Sequence, residues 1–413
     1  MSSRRRTKRN ASGGLVIVVG GLLCFVLGFS LFWGIGSRVA GGHKEFILSF
    51  PGVGGATSAK ATTAAAQSTT PQTPSYPVAP RVDLRTFRDL AYVPVKAVYM
   101  TSYAAGSPKL FNDIVSLADK TEINGVVLDV KDDTGYVTYA TDAPMANKLG
   151  TITPRIGNVD GVLATFRRHG IVPIARIVCF KDPLLPKKRP DLAVQNKNGG
   201  LWKDAKGITY VNPYDHRVWE YLVEIAEDAA KHGFREIQFD YVRFPSDGNI
   251  TTAVYPGKSG LPEDAVAGFL QFARQQLEPY GVWLSADVFG MTLSAKDDVG
   301  IGQKVEKIAA AVDIVCPMIY PSHYYAGSYN IPNPNADPYK TITYAMKDAT
   351  SRMDGTGAIT RPWLQDFSLG GVTYGVNEVR AQIKAVEEQG YSEWILWDPN
   401  NTYTVGALQP KKG

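Results

Sequence analysis

The chain is poor in the side chains that bind metals and staple loops. Its 413 residues include 3 cysteines and 5 histidines. Cys24 lies in an apolar N-terminal segment, whereas Cys179 and Cys316 close two short apolar runs far apart in the chain. That spacing supports no disulfide framework. His43, His169, His216, His232 and His323 form neither an HxH nor an HExxH pattern. Metal-dependent hydrolysis is therefore disfavoured, and neither metal nor cofactor is expected. Charge of one sign is scarce as well. The net charge is +5, and much of it comes from Arg4, Arg5, Arg6, Lys8 and Arg9. The remainder is close to neutral, which argues against a nucleic-acid-binding surface.

The basic cluster belongs to a segment, 1–14, that precedes an uncharged apolar stretch, 15–36. About 20 apolar residues suffice to cross a bilayer as a helix. Positive charge before the stretch keeps the N-terminus in the cytoplasm and sends the rest outside. The alternative is a cleaved signal peptide, for which Ser37 to Ala40 gives a weak cleavage site, so an uncleaved signal-anchor is the expectation. Residues 37–80 then read as a linker. Within them, 56–80 are rich in Ala, Thr, Ser, Gln and Pro and cannot build a core. The short run FILSF at 46–50 has no evident role.

From 81 to 408 the composition is that of a folded domain, with 409–413 as a tail. Eight apolar runs end in charged, aromatic or amide residues: KAVYMTSY, NGVVLDVKDD, IVPIARIVCF, EIQFDYVRFP, VWLSADVFG, DIVCPMIYP, RPWLQDF and EWILWDPNN. Helical patterns fill most intervals, at 108–120, 160–169, 216–232, 262–279, 303–311, 338–353 and 376–389. Several stop at a glycine (Gly170, Gly233, Gly281, Gly390). The fold class is thus α/β, a (β/α)8 TIM barrel preceded by one transmembrane helix and a disordered linker. Long loops after the second, third, fourth and sixth strands fall on the face where barrels of this kind carry their chemistry. Trp202, in the loop after the third strand, is either a sugar platform or a loop anchor.

Strand ends supply the candidate residues. Period-two alternation puts Asp240 on one face with Gln238 and Asp287 on one face with Ser285. An aspartate inside FDYV or SADV is costly to bury unless paired or functional. Two carboxylates on neighbouring strand ends can flank a glycosidic bond, one as nucleophile or base and the other as acid. Arg176 and Arg243 are the available partners for Asp240. Asp129 and Lys131 share a face and are expected to form an ion pair near substrate, whereas Asp132 and Asp133 read as a solvated acidic turn. Tyr103, Tyr320, Gln365, Trp397 and Asp398 complete a set suited to sugars, rings for their apolar faces and polar groups for their hydroxyls.

At FDYVRFP, SADVFG, CPMIYPSHY and WILWDPNN the chain resembles a family of bacterial glycoside hydrolases. These are TIM barrels in the broad superfamily that includes the α-amylase-like enzymes. The resemblance spans about 95–405 and implies hydrolysis of O-glycosyl bonds, with Asp240 matching the strand-four nucleophile. The acid of amylase-like barrels is a Glu after strand five, where this chain has Asp287. The expected protein is a membrane-anchored extracytoplasmic hydrolase of a polysaccharide or cell-wall glycan, binding oligosaccharide and membrane but not nucleic acid. Its alternatives are a catalytically silent carbohydrate-binding barrel, and an enzyme of another class using Lys131 as a Schiff-base lysine.

Overall fold

The structure, a computed structural model, describes residues 92–412. The basic segment, the expected signal-anchor, the linker expected at 37–80 and residues 81–91 of the expected domain lie outside the described residues. No helix among the described residues is long and apolar enough to cross a membrane.

Eight parallel strands form the barrel: β1 Lys96–Met100, β2 Gly125–Lys131, β3 Val172–Val178, β4 Glu236–Asp240, β5 Trp283–Phe289, β6 Ile314–Met318, β7 Trp363–Gln365 and β8 Trp394–Trp397. Each pairs with the next, and β8 pairs with β1. The ring is therefore closed and leaves no open edge in it. Ahead of β7, Ile359–Thr360 also pairs with β6. Pro362 has no N–H to give the ladder, which accounts for the interruption.

Seven helices join the strands: α1 Pro108–Lys120, α2 Val159–Arg168, α3 His216–His232, α4 Pro262–Leu277, α5 Val305–Ala311, α6 Pro338–Met353 and α7 Val376–Glu388. In α3, Asp215 caps the N-terminus by accepting from the Arg217 N–H at 3.0 Å. Val218, Leu222, Ile225 and Ala229 form its buried face, and Gly233 ends it in a left-handed turn at φ +106°. After β8 the described chain makes only the short turn Val405–Ala407, then bridges back through Pro410 to Thr121.

Alternation divides each strand between two cores. Val126, Leu128, Val130, Ile237, Phe239, Leu284, Ala286 and Val288 point outward into a large apolar layer shared with the helices. Ala97, Val127, Ile174, Trp283, Ile314, Cys316 and Ile395 belong to a smaller cluster inside the barrel. The inward set also contains buried charge. Near the N-terminal end of the barrel, Arg361 donates to both oxygens of Glu236 and to Glu393, each at 2.9 Å. Tyr92 donates to Glu393 at 2.5 Å. Cys179 and Cys316 are buried free thiols.

The loops after β3 and β4 are zipped by a two-stranded ribbon, Gln195–Asn196 against Ala253–Val254. Trp202 is buried beneath it with Val194 and Tyr210, and its indole N–H donates to the Asn249 carbonyl at 3.0 Å. It is the loop anchor, not a sugar platform.

Candidate active site

The register of β4 and β5 pairs Gln238 with Ser285 and Phe239 with Ala286. One step further along both strands, Asp240 and Asp287 stand side by side at the C-terminal mouth. Parity points both inward, as the alternation requires.

Their surroundings differ. Arg176, on β3, donates to Asp240 Oδ2 through Nε at 2.9 Å and through Nη2 at 2.5 Å. Its Nη1 donates to Asp129 Oδ1 at 2.6 Å. The Tyr99 hydroxyl completes the row by donating to Asp129 Oδ2 at 2.5 Å. Asp240 is thus one end of a buried chain, Asp240–Arg176–Asp129–Tyr99, with a single cation between two carboxylates. Its Oδ1 accepts from the N–H of Tyr241 at 2.5 Å. Tyr241 has φ +49°, an uncommon conformation for a bulky residue and one that clusters at functional sites. Burial pushes the Asp129 carboxyl up to about 6, although Arg176 and Tyr99 both favour its charged form.

Asp287 has no cation partner of this kind. Its Oδ1 accepts from the Trp363 indole N–H at 2.6 Å, while Oδ2 is buried without a hydrogen-bond partner. Burial first, and then the neighbouring charge of Asp240, holds its carboxyl well above the usual carboxylate range. Two adjacent carboxyls with unlike environments are suited to unlike tasks, one charged and one carrying a proton.

The other expected site residues divide into two groups. Tyr320 and Trp397 stand at the mouth and pack together at 5.9 Å, with Phe367 at 5.0 Å from Trp397 and Tyr99 at 6.2 Å. This aromatic wall lies on the β6–β8–β1 side and meets the charged row at Tyr99. Lys131 does not pair with Asp129. It is fully buried, bridges to Asp182 at 2.9 Å and donates to the Val178 carbonyl at 2.8 Å. The expected Asp129–Lys131 pair is therefore not formed: Asp129 is paired by Arg176 from the neighbouring strand, and Lys131 is taken by Asp182.

Arg243 is buried but bonds to the Phe244 carbonyl and Ser246 rather than to Asp240. Gln365 accepts from the Ser322 N–H and donates to the Phe367 carbonyl, which makes it a brace for two loops. Asp398 accepts from the N–H groups of Asn400 and Thr402, closing a turn. Tyr103 lies on a helical turn, Ser102–Gly106, is 61% exposed, and has Arg155 over its ring at 4.5 Å. The inward phase of β1 ends at Tyr99, so Tyr103 falls outside the charged row. Asp132 is not solvated. It is buried, pairs with Arg155 and accepts from Thr134, whereas Asp133 is exposed.

Tyr99, Tyr241, Phe367 and Trp363 were not singled out by sequence. Tyr99 was findable, since it shares β1 parity with Ala97. Trp363 was findable in the same way, two residues before Gln365. Tyr241 was not, because nothing in FDYV announces a left-handed backbone.

The sequence model of the putative glycosyl hydrolase domain family matches residues 97–403, nearly the whole barrel. The chain belongs to that family. A search of curated proteins gives no match. Among solved structures, a hypothetical protein from Ruminiclostridium thermocellum is 43% identical, covering 46% of this chain and 97% of that one, with a TM-score of 0.44. The PgaB (BpsB) glycoside hydrolase domain from Bordetella bronchiseptica is 13% identical, covering 78% of this chain and all of its own, with a TM-score of 0.57. An alpha-L-fucosidase isoenzyme 2 from Paenibacillus thiaminolyticus is 13% identical, covering 76% of this chain and 48% of that one, with a TM-score of 0.52. The last two share the barrel fold with this glycosyl hydrolase family domain.

Proposed function

We propose that the protein is a membrane-anchored, extracytoplasmic glycoside hydrolase that cleaves a polysaccharide or cell-wall glycan. The observation that carries the reading is the pair Asp240 and Asp287. They occupy adjacent strand ends, one ion-paired and the other holding a proton-bearing carboxyl with an unpartnered oxygen.

In this mechanism Asp287 Oδ2 gives its proton to the glycosidic oxygen, and the leaving sugar departs. Asp240 attacks the anomeric carbon, and a glycosyl ester forms. Asp287, now a carboxylate, takes a proton from water, which opens the ester and restores both side chains. Neighbouring strands lie about 4.8 Å apart, close to the roughly 5–5.5 Å carboxyl separation of retaining enzymes. Retention of anomeric configuration is the expected outcome. The aromatic wall of Tyr320 and Trp397 supports binding by stacking on sugar faces.

A second reading is favoured by one observation. Asp287 is only 1% exposed, as a structural carboxyl would be, so the barrel could bind glycan without cleaving it. Asp240→Asn decides between them. For a nucleophile, turnover on a substrate found by screening should fall by roughly 10³-fold or more while binding persists. Wild-type turnover in the variant would overturn the nucleophile. Binding without hydrolysis by the native protein would favour the silent barrel. The anchored, outward-facing placement rests on the basic cluster and the apolar stretch at 15–36. It is tested by whether protease added to intact cells removes the barrel.

A further inference from the structure

Above the two aspartates the chain places a second set of groups. Tyr241 follows Asp240 directly, and Phe289 follows Asp287 by two residues on the same inward face. Arg243 lies between them, its guanidinium 5.1 Å from the Tyr241 ring and 4.6 Å from the Phe289 ring. Lys181, from the start of the loop after β3, lies 5.0 Å from the Tyr241 ring. Two cations are thus gathered at the rim of the reaction centre, against aromatic faces.

Arg243 is 6% exposed. Its polar contacts are neutral: the Phe244 carbonyl at 3.0 Å, Ser246 Oγ at 3.2 Å and the nearby Tyr210 phenol. Among the described residues no carboxylate is paired with it. A guanidinium removed from water without a counter-charge is expensive, unlike Arg176 and Arg361, which each hold two carboxylates. Asp247 is the closest acidic candidate on the same loop. Burial and the charge of Asp204 raise its carboxyl while the charges of Lys181 and Arg243 lower it, and no ion pair joins it to Arg243 among the described residues. Aromatic rings on the guanidinium supply part of the missing stabilisation and hold its planar donor fork in place.

Resting on the hydrolase reading of this mouth, we propose that Arg243 with Lys181 forms an anion subsite, and that the glycan recognised is acidic. The sugar at the reaction centre, or its neighbour, carries a carboxylate or phosphate that completes the Arg243 charge pairing. A planar fork matches either group through paired N–H donors.

The test compares binding of the full-length Asp240→Asn protein to uronate-bearing glycans, to the same glycans after carboxyl reduction, and to phosphate-bearing glycans. The expected result is affinity for one acidic class about tenfold or more above that for neutral counterparts. The class preferred identifies the anion. Adding Arg243→Gln should abolish this preference while leaving neutral-glycan affinity unchanged, and Arg243→Lys should restore part of it. Equal binding of acidic and reduced glycans, or no binding of either acidic class, would overturn the subsite. The comparison between substrates needs no Arg243 variant, so it holds even where Arg243→Gln fails to fold. Acid-selective binding by a native protein that hydrolyses nothing would instead sink the hydrolase reading and leave the subsite standing.

Discussion

At the scale of single residues, burial decides what each acidic side chain does. Asp240, Asp287 and Asp398 all end apolar runs, the first two read from sequence as the catalytic pair and the third as a sugar-binding group. Asp240 meets Arg176, Asp287 meets an indole N–H, and Asp398 meets the N–H groups of its own turn. The last makes a test with a defined sign. Burial raises the Asp398 carboxyl from its ordinary 3.8 to about 6. A raised carboxyl pKa contributes stability that is fully present below 3.8 and lost as pH rises through about 6. Asp398→Asn keeps the accepting oxygen and removes the charge. Its melting temperature should exceed that of the native protein above pH 6 and show no such gain below 3.8. Destabilisation at every pH, including below 3.8 where the carboxyl is neutral, would mean that the carboxyl's fit to its turn, and not its buried charge, sets the effect.

At the scale of elements, the barrel is closed by a short clasp. β8 runs into the turn that carries Asn401, at φ +57°. Its side-chain oxygen accepts from the Thr101 N–H at 3.1 Å and from Thr101 Oγ1 at 2.7 Å. Its amide donates to the carbonyl of Tyr99 at 3.3 Å. Tyr403 donates to the same carbonyl. The last strand is thereby tied to the first at the height of the charged row. Asparagine suits the position because its short side chain tolerates the left-handed backbone and reaches across. Asn401→Ala should cost roughly 2–4 kcal/mol in urea unfolding, from the lost hydrogen bonds and backbone strain. A loss well under about 1 kcal/mol, the net worth of one hydrogen bond, would show that strand pairing alone closes the ring.

The same scale shows how far the sequence was legible. Helices at 108–120, 216–232 and 338–353 were found with their observed limits, because the amphipathic period agrees there with a start or stop signal: Pro108 and Pro338 at the first helical position, Asp215 and Asp337 as caps, and Gly233 after 216–232. The inward parity of β4 and β5 followed from alternation. The partners did not. Lys131 and Asp129 share a face two residues apart, yet Arg176 from the next strand reaches Asp129 and leaves Lys131 to Asp182. Such choices depend on side-chain reach across strands, which period-two patterning does not contain.

At the scale of the whole molecule, composition separates a basic and apolar N-terminal region from a folded domain. Everything from Tyr92 to Tyr403 contributes to one closed barrel with its helices. The Ser, Thr, Pro and Ala content of 56–80 leads the sequence reading to expect no core before the barrel. A protein truncated to begin at Pro80 should therefore be soluble and unfold in a single cooperative transition. Aggregation of that form beside a stable full-length protein in detergent would place part of the domain before Pro80.

The sequence by itself determined the eight-fold repeat, the inward phase of the central strands and the pair of aspartates at the mouth. Each depends on local periodicity or on the cost of burying a charge. The tertiary structure alone decided that Arg176 joins Asp240 to Asp129 and that Trp363 leaves one Asp287 oxygen unpartnered. It also decided that Arg243 stands buried without a counter-charge above them. The contacts of Arg176 and Trp363 join residues 47 to 76 positions apart, and only assembly of the barrel brings them within a hydrogen bond's length.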